Sequence, residues 1–355
     1  MSRFFSNKYS SLRAYTPGEQ PKDKKYIKLN TNESPYPPSP KVREAVAAEI
    51  DSLKLYSDPE CRDLNKKMAE LFSVKENEIL MTNGSDEILN FAFMAFSDKD
   101  HPIVFPEITY GFYSVFAMLN GIPYEEIPLK DDFSIDYRDY LGIGKNIVIA
   151  NPNAPTGIAL SLYEIEEIVK TNPDNVVIID EAYVDFGAES AVSLTRKYTN
   201  LLVTGTFSKS RSLAGARLGF GIASCEFIRD LNTIKYSTNP YNVNRMTMAA
   251  GVAALCENDY YVENCKRIIE TREYTKKRLE SLGFVCTDSR ANFLFACHEK
   301  ISGEDLYLSL KASGILVRHF NKEKIFDYNR ITVGTREEMD ALLAATEKIL
   351  KEKKL

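Results

Sequence analysis

Short, continuously apolar runs separated by amphipathic stretches fill the first 260 or so residues. Ile79-Leu80-Met81-Thr82, Ile103-Val104-Phe105, Ile147-Val148-Ile149-Ala150, Val176-Val177-Ile178-Ile179, Leu201 to Thr204 and Phe220-Gly221-Ile222-Ala223 show no polar alternation. Runs of that kind read as strands covered on both faces. Between them lie helical spacings. Ser39-Pro40 supplies an N-cap and an N1 proline ahead of a stripe of Val42, Val46, Ile50 and Leu53. Leu64, Met68 and Leu71 mark a second helix, an apolar helix runs through Phe96, and Ser161-x-x-Glu164 is a capping box. Strands that alternate with helices predict an α/β domain with a largely parallel sheet and helices on both faces.

From about residue 260 the pattern changes. A long helix carries Ile268, Ile269, Tyr274, Leu279 and Leu282. Short strands follow at Asn292–Ala296, Ile315–Arg318 and Arg330–Val333, and Thr335-x-x-Glu338 caps a last helix with Met339, Leu342, Leu343 and Leu350. This predicts a smaller α+β domain. The expected organisation is an N-terminal arm over 1–27, a large domain over 28–260 and a small domain over 261–355.

With 355 residues, 44% hydrophobic and 27% charged, the chain has the composition of an ordinary globular protein with room for two domains. Its net charge of −5 comes from interspersed signs and leaves no nucleic-acid footprint. Six cysteines without C-x-x-C spacing and three histidines offer no metal site. Reduced thiols and a cytoplasmic location are the expectation. No signal-peptide core and no membrane-length apolar run is visible.

Ligands of parallel sheets bind beyond the carboxyl ends of the strands. Gly84, Tyr110, Ala154, Asp180 and Lys209 all fall at such ends. Gly84-Ser85-Asp86 is a glycine-led strand-to-helix turn whose free N–H groups suit a phosphate, though many such turns hold nothing. Tyr110 either stacks on a flat ring or packs in the core. Lys209, in Thr206-Phe207-Ser208-Lys209, is either a solvated turn residue or a desolvated amine able to form a Schiff base. Arg217 follows between glycines. Together these groups meet the needs of pyridoxal phosphate: a lysine for its aldehyde, a carboxylate for its ring nitrogen and a cup for its phosphate. Lys209, once freed by substrate, would move the proton at the substrate Cα.

The set L-N-T-N-E-S-P-Y-P-P-S-P, Y-S-D-P-E-C-R, N-G-S-D-E, T-Y-G-F-Y, N-P-N-A-P-T-G, D-E-A-Y, T-F-S-K-S-R-S-L-A-G-A-R-L-G-F, P-Y-N-V-N-R and R-I-T-V-G-T-R-E-E, in that order, resembles the fold-type I, class I and II aminotransferases. The resemblance runs from about Tyr15 to the final helix. It implies that Lys209 is the Schiff-base lysine, Asp180 the partner of the ring nitrogen and Tyr183 the donor to the ring hydroxyl. It implies a ring-stacking role for Tyr110, a phosphate cup of Gly84, Ser85, Asp86, Thr206, Ser208 and Arg217, and a phosphate contact from Tyr56 across a homodimer interface. Arg330, Arg318, Asn32 and Tyr15 fall among the substrate contacts, Tyr15 from the partner subunit. Arg318 otherwise reads as one half of a structural salt bridge. Within the family the likeness points to the branch that transaminates L-histidinol phosphate with 2-oxoglutarate, in histidine biosynthesis. Aromatic or broad-specificity aminotransferases and threonine-phosphate decarboxylases are the alternatives.

Two positions depart from the pattern. The family's asparagine before P-T-G is Ala154 here; Asn153, one residue earlier, is kept as a cofactor contact although an unchanged turn points it elsewhere. His319 follows Arg318 where an acid is frequent, and reads as a partly exposed strand residue.

Overall fold

The doubly covered runs form one seven-stranded sheet in the computed structural model, which describes residues 2–10, 12 and 14–354. Met1, at the start of the expected arm, Ser11, Arg13 and Leu355, at the end of the expected small domain, lie outside the described residues. The strands in chain order are β1 (Ile27–Lys28), β2 (Ile79–Thr82), β3 (Ile103–Pro106), β4 (Tyr124–Ile127), β5 (Asn146–Ala150), β6 (Val177–Asp180), β7 (Leu201–Thr206), β8 (Gly219–Ile222), β9 (Phe284–Cys286), β10 (Phe293–His298), β11 (Ile315–Leu316), β12 (Arg318–His319) and β13 (Asn329–Thr332). The helices are α1 (Pro40–Ala48), α2 (Arg62–Phe72), α3 (Ser85–Phe96), α4 (Phe112–Asn120), α5 (Leu162–Thr171), α6 (Cys225–Thr238), α7 (Arg245–Cys256), α8 (Asn258–Ser281), α9 (Gly303–Ala312) and α10 (Arg336–Glu352).

The large sheet has the order β2-β8-β7-β6-β5-β3-β4. Only β8 runs against its neighbours; the pairs from β7 through β4 are parallel. Alternate residues of each central strand feed opposite cores, as the two-residue period of a strand requires. Ile147, Ile149, Val177, Ile179, Leu201 and Val203 pack with Leu64 and Met68 of α2, Ile165 and Ile168 of α5 and Ala250 and Ala254 of α7. Val148, Ala150, Ile178 and Leu202 pack with Ile88 and Leu89 of α3, Phe116 of α4 and Leu231 of α6. The expected helix-covered, largely parallel sheet is thus found. The capping boxes at Ser161 and Thr335 are both formed.

A second, antiparallel sheet has the order β12-β13-β10-β9 and is backed by α8, α9 and α10 through Leu279, Leu294, Leu306, Ile331, Met339 and Leu342. Its core also takes Leu29, and β1 pairs in parallel with β11. The segment around residues 27–29, expected to open the large domain, therefore packs with the C-terminal residues. Other differences are local. The single strand expected over Ile315–Arg318 divides at Val317 between two sheets. Strand β4 carries no continuous apolar run, since it is an edge strand with Tyr124, Glu125 and Glu126 exposed; β9, also at a sheet edge, is apolar but only three residues long. The stripe on the first helix is cut short: α1 ends at Ala48, and Ile50 and Leu53 lie exposed in a 3-10 turn.

Between the loop after β6 and the turn before β10, Arg272 of α8 is fully buried. Its Nη1 donates to the carbonyls of Phe186 and Ala291, both at 2.8 Å. The loop after β6 and the turn before β10 are thereby tied to one guanidinium. No helix among the described residues is long and apolar enough to cross a membrane.

Candidate active site

Asp180 ends β6 and is 4% exposed. Parallel register sets it beside Thr204 of β7. Its carboxylate accepts from the Tyr113 hydroxyl at 2.9 Å and from Thr204 Oγ1 at 3.2 Å. Neither donor was foreseen from sequence. Tyr113 lies one helical turn beyond Tyr110 and Thr204 is the register neighbour of Asp180, so both were within reach of the pattern once the strands were aligned. Burial pushes the Asp180 carboxyl up to about 6, against the pull of the Tyr113 hydroxyl. No cation pairs with it among the described residues.

Lys209 is half-buried in the turn after β7. Its Nζ donates to the Thr31 carbonyl at 3.2 Å and lies 5.7 Å from the centre of the Tyr183 ring. Tyr183 follows Asp180 by three residues; its ring meets Phe293 edge-on at 5.1 Å and its hydroxyl accepts from Asn32 Nδ2 at 3.0 Å. Asn32, expected among the substrate contacts, is itself buried and is spent on Tyr183 and Thr332.

The residues expected to form a phosphate cup converge. Gly84, at φ 79°, turns the chain from β2 into α3, whose first N–H groups at Ser85 and Asp86 are free of helix partners. A Cβ on Gly84 would lie 2.4 Å from Arg217 Nη2, so the guanidinium sits directly on that turn. Arg217 Nη2 donates to Asp86 Oδ2 at 3.0 Å, and the Tyr110 hydroxyl donates to Asp86 Oδ1 at 2.7 Å. The Asp86 side chain thus holds Arg217 and Tyr110, leaving its N–H for an anion. Thr206 Oγ1 and Ser208 Oγ are 3.0 Å apart at the end of β7.

Gly219 underlies this cup. A Cβ there would stand 2.4 Å from Gly84 C and Ser85 N, both backbone atoms. Gly219→Ala is expected to weaken cofactor phosphate binding about tenfold or more, since overpacking against backbone costs about 1–3 kcal/mol. Gly215→Ala, with open space at its Cβ, is the control. Fluorescence titration with the cofactor reads both.

On the substrate side, Arg330 of β13 is half-buried, with its guanidinium 5.4 Å from the Phe293 ring and 5.7 Å from the Phe320 ring. Nη2 donates to the Asn30 carbonyl at 3.1 Å; Nε has no partner among the described residues. Desolvation lowers its pKa, with Tyr183, Tyr15 and Tyr110 opposing the shift and Arg318 adding to it. Arg318 donates to the Thr16 and Pro17 carbonyls at 3.2 and 3.3 Å and has no acidic partner among the described residues, so the salt-bridge reading of it is not met there. It holds the segment that carries Tyr15.

Two expectations need correction. Asn153 is not placed to hold a cofactor. Its Oδ1 accepts from Thr109 at 2.8 Å and its Nδ2 donates to the Ile108 carbonyl at 2.9 Å, so it clamps two turns together and is fully buried. Tyr15, expected from a partner subunit, packs on Tyr110 and Phe112 of its own chain, with ring centres 6.2 and 4.4 Å away. Tyr56, expected to reach a phosphate only across a dimer interface, is 80% exposed and stacks on Tyr241, away from the cluster of its own chain. His319, at the edge of its sheet, donates from Nε2 to the Phe326 carbonyl at 2.7 Å, in keeping with a strand residue.

The aminotransferase class I and II family profile matches residues 24–345. The chain belongs to the class I and II aminotransferases. It is 54% identical to the histidinol-phosphate aminotransferase of Brachyspira hyodysenteriae over 353 residues, covering 99% of this chain and 100% of the relative. It is 51% identical to the histidinol-phosphate aminotransferase of a Marinomonas species, covering 97% and 99%. Among solved structures, the Sinorhizobium meliloti histidinol-phosphate aminotransferase in complex with pyridoxal-5'-phosphate superposes with a TM-score of 0.90 at 22% identity, covering 99% of both chains, which bears on the fold alone. Membership of the family, expected from the motifs, is therefore established.

Pyridoxal 5'-phosphate is the cofactor of this aminotransferase family, and the residues present fit it. A buried carboxylate with no cation paired to it among the described residues, a glycine cradle with an arginine on it, and an amine beside the Tyr183 ring are the groups it needs. The pKa of Asp180 makes the fit pH-dependent. A carboxyl raised by burial contributes its full stability below its ordinary pKa near 4 and loses that contribution as pH rises through about 6. A cationic ring nitrogen pairs with the ionised form only. The rise in Tm on saturating the aminotransferase with pyridoxal phosphate is expected to be larger at about pH 7.5 than at about pH 5, and Asp180→Asn to remove most of that difference. Thermal melts with and without cofactor at the two pH values give the comparison.

Proposed function

We propose that this aminotransferase exchanges an amino group between L-histidinol phosphate and 2-oxoglutarate, giving imidazole acetol phosphate and L-glutamate, in histidine biosynthesis. The names of the relatives at 44–54% identity over nearly the whole chain support that reaction. The observation within the site that carries the reading is Arg330: a desolvated guanidinium with an unpartnered Nε, braced between Phe293 and Phe320 and set among Tyr15, Tyr110 and Tyr183. An amine without a carboxylate needs another anion for this receptor, and guanidinium forks accept phosphate and carboxylate alike. Arg318 adds positive potential beside it, which suits a doubly charged phosphate.

When bound, the cofactor supplies an electron sink and carries the amino group from donor to acceptor. The residues of the chain divide the rest. Arg217, the Ser85 and Asp86 N–H groups, Thr206 and Ser208 hold the cofactor phosphate. Asp180 would keep a proton on the ring nitrogen. Tyr183 would donate to the ring hydroxyl and Tyr110 would offer its aromatic face to the ring. Lys209 Nζ takes the proton from the substrate Cα and returns it in the opposite half-reaction. Arg330 fixes the anionic end of whichever substrate is present.

The working form in this proposal is a cytoplasmic homodimer. Ile50, Leu53, Leu55 and Tyr56 are exposed together beside Tyr241, an apolar face that a second copy of the chain would cover. That copy would receive Tyr56 at its phosphate cup. Light scattering reads the mass.

The reaction is tested by comparing L-histidinol phosphate with L-histidinol, both with 2-oxoglutarate. The phosphate ester is expected to be favoured by at least about a hundredfold in kcat/KM, the worth of a desolvated charge pair of about 3 kcal/mol. Equal rates, or better rates with phenylalanine, would replace the proposal with a broad-specificity aminotransferase. Carbon dioxide release from threonine phosphate would replace it with a lyase.

A further inference from the structure

The ring-hydroxyl side of the site is poor in donors. Ala154, in place of the family's asparagine, is buried in an apolar corner with Ala291, Phe293 and Tyr183. The direction of the Tyr183 proton then decides what the cofactor's ring oxygen meets. A chain of hydrogen bonds determines that direction. The Asn32 backbone N–H donates to Thr332 Oγ1 at 2.9 Å, so the Thr332 hydroxyl turns its own proton elsewhere. Its acceptor is Asn32 Oδ1 at 3.0 Å. With Oδ1 taken, the face of the amide turned to Tyr183 is Nδ2, a donor only, 3.0 Å from the phenol oxygen. Tyr183 therefore accepts from Asn32, and its proton points away into the site. The clamp is fully buried, and Asn292 Nδ2 steadies it by donating to the Asn32 carbonyl at 3.0 Å. Asn32 sits at φ 55°, a left-handed conformation that asparagine tolerates better than most residues.

We propose that Asn32 is a positioning residue that aims the Tyr183 proton at the cofactor's ring hydroxyl, in a site where Ala154 offers no second donor. It acts through Tyr183 and its amide is not free to bind substrate. The inference rests on cofactor binding and not on which amine is the substrate.

The test uses Asn32→Gly, which keeps the left-handed turn and removes the amide, Asn32→Asp, which keeps the shape and replaces the donor by an acceptor, and Thr332→Val, which releases the clamp. The first reading is the pH midpoint of the absorbance change of the bound cofactor. A lost donor leaves charge on the ring oxygen less stabilised, so the midpoint is expected to rise. The rise should be about one pH unit for Asn32→Asp, less for Asn32→Gly, and least for Thr332→Val. In a Tyr183→Phe background the same changes should have no further effect, because the coupling runs through the phenol. The second reading needs no cofactor: the phenol pKa of Tyr183, followed by carbon NMR of ring-labelled protein and assigned with Tyr183→Phe, should rise in the same order. Midpoints and phenol pKa values unchanged by Asn32→Gly and Asn32→Asp would overturn the proposal. So would equal midpoint shifts with and without Tyr183. Failure of the substrate assay with these shifts intact would count against the proposed reaction alone.

Discussion

Replacing Lys209 by alanine is expected to lower amino transfer by about a thousandfold or more while the fold and the cofactor's phosphate site persist. Proton transfer by a placed side chain is worth about 10²–10⁴-fold, and here the same amine also has the covalent role. The loss should fall on kcat. Lys209 Nζ makes one hydrogen bond, to the Thr31 carbonyl, and no acid pairs with it among the described residues, so its removal orphans no buried charge. Little change in Tm follows. Lys209→Arg should be no better than alanine, because a guanidinium does not give up its proton near neutral pH. Single-turnover rates for both half-reactions and a thermal melt of each variant check this. A Lys209→Ala protein with more than about a tenth of the normal rate would remove the lysine from the chemistry.

Replacing Arg330 by methionine should weaken both substrates together. Truncating one side of a desolvated charge pair costs about 2–5 kcal/mol, or roughly 30- to 4,000-fold in kcat/KM. The loss should appear for L-histidinol phosphate and for glutamate, mainly in KM, since one guanidinium is assigned to both anions. The effect on the empty protein has the opposite sign. Arg330 is a desolvated cation that, among the described residues, has no acidic partner and an unbonded Nε, held between two aromatic rings. An apolar side chain of similar length should leave Tm unchanged or raise it, because the desolvation penalty disappears. A structural role would instead lower Tm and spare the substrate ratio. Michaelis constants for the two amines, with melts of the unliganded proteins, separate the cases.

What was legible in the sequence was whatever depends on short stretches. Continuous apolar runs gave the central strands, and their last residues put Gly84, Tyr110, Asp180 and Lys209 at one edge of the sheet before any contact was known. The polar partners of these groups were hidden because they come from far along the chain. Asn32 meets Tyr183 across 151 residues and Thr332 across 300, and Lys209 reaches Thr31 across 178. No local spacing encodes such pairs. Asn153 was misread for the same reason: its place in an N-P-N-A-P-T-G turn looked like a site position, but Thr109 and Ile108, more than forty residues away, use up its amide. Strand β4 escaped notice because an edge strand with two exposed glutamates lacks the burial that writes an apolar run.

The central claim is that the amino group of L-histidinol phosphate ends on 2-oxoglutarate. The most direct measurement supplies L-histidinol phosphate labelled with nitrogen-15 at the amine, unlabelled 2-oxoglutarate and the cofactor-loaded protein, and follows the label by NMR. The expected result is labelled L-glutamate in step with loss of the labelled donor, with none formed by Lys209→Ala. Label that stays on the donor, while phenylalanine amine moves readily to glutamate under the same conditions, would contradict it.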